Sequence, residues 1–187
     1  MPSNPIEHKT PSETADTHKM RTYFQDVDEG AVKVLAEKYG DLVPPERLEH
    51  MANQPTRFET PTDFEKNYRA IFGQPPEPGL TGYTERGHPA HVSTEDMAGV
   101  PETVMHERLH QLADPKAERI LGTKLCEGIT EDLAIETSGQ EPEIGDSVAY
   151  REGRASAQVL RNTVGEEAVQ EAYFQGETTK LKARLKI

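Results

Sequence analysis

Apolar side chains recur at helical spacing through most of the chain, and the polar stretches between them mark where elements end. Asp28 to Tyr39 carries Val32, Val34, Leu35 and Tyr39 mostly three to four residues apart and stops at Gly40, which predicts a helix over 28–39. A short helix starting on proline is predicted over 45–51. Another covers 62–72, where Phe64, Tyr68, Ile71 and Phe72 share a face. GQPPEPG, from Gly73 to Gly79, breaks the pattern. The period then changes: Leu80, Tyr83 and Val92 alternate around a turn-like Glu85-Arg86-Gly87, predicting a hairpin over 80–84 and 90–94. Pro89 confines its second strand to a sheet edge or a late start. Helical spacing resumes and predicts helices over 101–113, 123–137, 146–163, 165–175 and 177–186. Pro101 followed by Glu102 suits a helix N-terminus, and Gly165 and Gly176 punctuate the last three segments. Residues 1–20 hold three prolines and almost no large apolar side chain, so a disordered N-terminal tail is expected before a single domain over 21–187. The expected class is α+β, mostly helical, with one short β-hairpin.

Composition narrows the function classes. Only 34% of the 187 residues are apolar and 6% aromatic, which allows one modest core. The net charge of -12 argues against nucleic acid or an anionic membrane as partner, since both select clustered Lys and Arg. No apolar run is long enough to span a bilayer, so membrane insertion is not expected. Met1 to Met20 lacks the apolar core of a secretory signal. A single cysteine, Cys126, forbids an internal disulfide and fits a reducing compartment. The expected location at synthesis is the cytoplasm.

One constellation carries chemistry. Residues 106–110 read His106-Glu107-Arg108-Leu109-His110, the pattern HExxH, within a segment already predicted helical. Positions i and i+4 lie on one helical face, so both imidazoles can reach one metal ion. Glu107 lies about 100° round from His106, placed to act as general base on a water that zinc acidifies to a pKa of about 7. Met105, Leu109 and Leu112 form an apolar stripe away from the histidine pair, so the helix can pack while its histidines face a cleft. Two surface histidines on an ordinary amphipathic helix would give the same pentapeptide.

A catalytic zinc takes three protein ligands. The extended HExxHxxGxxH pattern fails at Ala113 and Lys116. The next predicted helix offers Glu127, 17 positions beyond His110 with 16 residues between for a turn, followed by Gly128 and Glu131. Glu127 and Glu131 lie opposite the apolar stripe of Leu125, Ile129 and Leu133, as an ordinary solvated acidic face also would. With Glu131 as ligand the gap is also feasible.

HExxH followed by an acidic helix starting at Glu-Gly resembles the gluzincin metallopeptidases, the thermolysin-like and aminopeptidase-type clan. EGITEDLA is similar to the EGxTE segment of compact bacterial zincin domains, including ones in toxins and effectors. The resemblance spans about residues 80–176 and is specific over 102–134. It implies a zincin-like fold with the hairpin beside the active-site helix, and a Zn2+ cofactor held by His106, His110 and Glu127. It further implies Glu131 orienting a zinc-binding histidine, and Tyr150 as oxyanion donor beside the base Glu107. Gly128, which permits close helix approach, also favours Glu127 over Glu131. Arg108 departs from the family pattern, which carries an uncharged residue there, and must reach solvent or pair with an acid. The 16-residue gap is slightly short.

The implied activity is hydrolysis of a protein or peptide substrate. For an effector or toxin protease, an immunity or delivery partner and a signal-peptide-independent secretion route are expected. The rivals are a cytosolic regulatory peptidase and a zinc-stabilised binding module that cuts nothing. Arg151 and Arg154 are candidates to assist or to pair with surface acids. His88 and His91 flank the hairpin, Tyr173 and Phe174 fit a core, and Cys126 fits a small buried position. The edge of the hairpin is a candidate for holding an extended peptide by main-chain hydrogen bonds.

Overall fold

The computed structural model describes residues 15–85, 87–139 and 148–186, with side chains over 16–85, 87–139 and 151–186. The first helix, α1, covers Ala15–Tyr39. It is followed by α2 (Pro45–Ala52), β1 (Arg57–Glu59), α3 (Pro61–Phe72), β2 (Gly82–Thr84) and β3 (Ala90–Ser93). Six further helices complete the order: α4 (Val100–Leu112), α5 (Ala117–Leu121), α6 (Thr123–Ser138), α7 (Val148–Val164), α8 (Glu166–Gln175) and α9 (Thr179–Leu185). The class is α+β, mostly helical with a small sheet.

The sheet has three strands in the order β1-β3-β2. The hairpin expected from the sequence is present: β2 pairs antiparallel with β3, with Tyr83 opposite His91. β1 adds a parallel strand on the other side of β3 through Phe58 opposite Val92. β3 is therefore central rather than an edge. Pro89 is accommodated because the strand starts one residue later, where its missing N–H costs no ladder bond.

Two elements extend or add to the expectation. α1 begins at Ala15, so Ala15–Met20 are helical and not part of a structureless tail; residues 1–14 lie outside the described residues. The early turns of α1 gain a tertiary partner, because Phe24 stacks on Phe58 of β1 at 4.4 Å. The turn expected between the two site helices contains a further helix of five residues, α5.

α4 runs through the middle of the core. Val104, Leu109 and Leu112 are fully buried and pack with Leu35 and Tyr39 of α1, Met51 of α2, Val92 of β3, and Ile129 and Leu133 of α6. Met105 joins them, so the whole apolar stripe read from the sequence is buried. Arg108, in the same helix, is also completely buried. Its guanidinium forks onto Asp28 of α1, with Nη2 to Oδ2 at 2.5 Å and Nε to Oδ1 at 2.9 Å. It also donates to the carbonyls of Met51 and Gln54 and to Gln111. Arg108 thus takes the second of its two options, pairing with an acid, and ties α4 to α1 and α2.

α6 packs against α4 on one side and α7 on the other. The α6–α7 crossing is glycine on glycine: a Cβ at Gly128 would collide with the carbonyl of Gly153. That contact fixes how α6 sits and therefore where Glu127, the preceding residue, points. Arg161 of α7 reinforces the pairing through Asp132 and, at 2.9 Å, Glu136. Among the described residues, no helix is long and apolar enough to cross a membrane.

Candidate metal centre

The helical repeat of α4 stacks His106 and His110 one turn apart, with Nε2 atoms 3.0 Å from each other. α6 brings Glu127 Oε2 to 3.4 Å from both. Three donors, two imidazole nitrogens and one carboxylate oxygen, therefore form a triangle with edges of 3.0, 3.4 and 3.4 Å. Donors around a tetrahedral zinc with bonds of about 2.0–2.1 Å stand about 3.3 Å apart. The spacing and the donor types fit such an ion.

The support of the triangle also fits. Glu131, one turn after Glu127, lies with Oε2 3.0 Å from His106 Nδ1. A carboxylate only accepts, so Nδ1 carries a proton and Nε2 is the nitrogen turned to the triangle. The electrostatics are strongly coupled. Burial alone disfavours the His106 cation, but the hydrogen bonds it donates to Glu127 and Glu131 outweigh it and push the imidazole up to about 10. Burial likewise opposes the Glu127 carboxylate, yet hydrogen bonds to His106 and His110 hold it far below the usual range. The acids thus create a field that draws positive charge to the Nε2 atoms, the condition a divalent cation would meet.

Glu107 is buried beside this cluster and lines the same cleft. Burial raises its carboxyl above the ordinary value, partly offset by the two histidines and a hydrogen bond from Thr84. Thr84 Oγ1 of β2 donates to Glu107 Oε2 at 2.8 Å. Gly82, two residues back on the same strand face, lets β2 lie directly on the acid. A Cβ there would come 2.5 Å from Thr103 Cγ2 and 2.7 Å from Glu107 Oε1. Neither residue stood out in the sequence. Strand alternation alone places 82 and 84 on one face, but nothing local shows that the face meets Glu107.

The cleft has a volume of about 1180 Å³ and also reaches Tyr68, Phe72 and Tyr83 on one side and Lys124 and Glu152 on another. Cys126 lies against it, buried, with its thiol pushed by burial up to about 12. Tyr173 is fully buried and shares a 2.6 Å hydrogen bond with Thr130, a packing position consistent with the core expected for it. His91 is directed away from the cluster: its Nδ1 meets Glu59 at 2.8 Å beneath the sheet. His88 is exposed on the rim of the cleft. Tyr150 begins in the first turn of α7, but its side chain lies outside the described residues. Arg154 faces Asp132 rather than the triangle. Among the described residues, His106, His110 and Glu127 are the group whose ligand atoms converge as a metal site requires. Comparison with protein-family models, with curated proteins and with solved structures finds no match for this chain.

Proposed function

We propose that the chain is a zinc-dependent peptide hydrolase of zincin type. The observation that carries this reading is the triangle of His106 Nε2, His110 Nε2 and Glu127 Oε2 with Glu107 buried beside it in an open cleft. When bound, zinc would supply Lewis-acid polarisation of a carbonyl and a water acidic enough to attack near neutral pH. His106, His110 and Glu127 would hold the ion, and Glu131 would keep His106 in the required tautomer. Glu107 would take the proton of the attacking water and return it to the leaving amine. Its raised affinity for protons suits both halves of that transfer. Thr84 would fix which way the Glu107 carboxylate points. β2 forms one margin of the sheet, and no described strand pairs with its outer edge, which favours an extended peptide as substrate. Tyr150 is the proposed oxyanion donor.

Metal analysis of the purified chain, followed by proteomic mapping of new N-termini, tests the reading. Wild-type protein should carry one zinc and generate new N-termini. Glu107→Gln should keep the zinc and lose about 10²–10⁴-fold in rate. A zinc-loaded wild type that yields the same termini as Glu107→Gln supports the binding-module rival instead.

A further inference from the structure

β2 divides the cleft into two differently lined sides. Side chains on a strand alternate between its faces. Gly82 and Thr84 turn toward α4 and Glu107. Tyr83 between them turns to the opposite face, where its ring stacks on His91 at 4.5 Å. There it also meets the rings of Tyr68 and Phe72 of α3 edge-on at 5.2 and 5.7 Å. Tyr68 and Phe72 are 4.4 Å apart and line the same cleft as His106 and Glu127. Phe72 keeps 43% of its surface exposed although its ring packs against Tyr68 and Tyr83. An apolar wall left open in the cleft that holds the His-Glu cluster is what a binding site for an apolar group requires.

We propose that Tyr68, Phe72 and Tyr83 form a subsite for a large apolar, preferably aromatic, side chain of an extended peptide laid along the outer edge of β2. The inference rests on the reading that a peptide occupies this cleft. An added strand inherits the two-residue period of its neighbour. Residues opposite Gly82 and Thr84 then turn toward Glu107, and the residue opposite Tyr83 turns onto the rings. Selectivity therefore falls one position away from the residue that faces the general base. Tyr83 is buried and backs the wall, so the guest would meet half-buried Tyr68 and exposed Phe72. Edge-on or offset contacts with those two rings favour an aromatic guest over an aliphatic one. Glu77 on the rim of the cleft makes a cationic guest the competing occupant.

A synthetic library of randomised dodecapeptides tests this in two readouts: equilibrium enrichment on zinc-loaded Glu107→Gln protein, and cleavage by the zinc-loaded wild type. The expected result is enrichment of Phe, Tyr or Leu at a single position adjacent to the scissile residue. Phe72→Ala, a change at an exposed position, should lower the ratio of aromatic to alanine peptides selected at that position about 10-fold. Aromatic-selective binding without cleavage overturns the hydrolase reading and keeps the subsite. Binding or cleavage without that preference, a preference for Lys or Arg, or a preference that Phe72→Ala leaves intact overturns the subsite. Absence of both binding and cleavage overturns both.

Discussion

At the scale of single residues, the candidate site consists of charges whose neighbours fix their roles. Glu131 touches His106 Nδ1 rather than the triangle itself, so in the proposed site it would act by orienting a ligand. Glu131→Gln preserves shape but loses the obligate acceptor, and zinc affinity should fall about 10–100-fold with little change in fold, measured by competition with a chromogenic chelator. Arg108 works differently. It is completely buried and its fork closes on Asp28, 80 positions earlier in the chain. Arg108→Leu would strand that carboxylate, and urea unfolding should show a loss of about 3–5 kcal/mol. The His-Glu-His part of the site was legible because it is local: residues four apart on a helix share a face wherever the helix lies. The partner of Arg108 was not, since nothing in sequence marks one acid among 33 as the buried one.

At the scale of elements, the relation of α6 to its neighbours decides whether Glu127 reaches the histidines. The Gly128–Gly153 crossing lets α7 approach α6 at backbone distance. Gly128→Ala should force the helices apart, lowering stability by about 1–3 kcal/mol and displacing the adjacent Glu127. Thermal unfolding and zinc titration on the same sample should both move; a stable variant with unchanged zinc affinity would remove this crossing from the account. The helices from α2 onward were largely readable because their apolar periods are strong and their ends carry Pro or Gly. The start of α1 was not: its early apolar positions are sparse among charged residues, and what orders them is a stack of Phe24 on Phe58. β1 was hidden for a related reason. It is three residues long, two of them charged, and it is defined by parallel pairing to a strand more than 30 positions away.

At the scale of the whole molecule, α4 joins the parts into one framework. Its apolar face anchors the core, Arg108 fastens α1 and α2, Glu107 meets β2, and its histidines face Glu127 of α6. An ion bridging α4 and α6 would bind the folded chain alone and stabilise it by linkage. Zinc at 100 times its dissociation constant adds about 2.7 kcal/mol, worth about 5–10 °C in Tm for a chain of this size. Titration of zinc into the chelator-treated full chain tests the central claim most directly. The account predicts saturation at one zinc per chain with sub-micromolar Kd, retained in Glu107→Gln and abolished in His110→Ala. No saturable uptake, or equal uptake by His110→Ala, would contradict it.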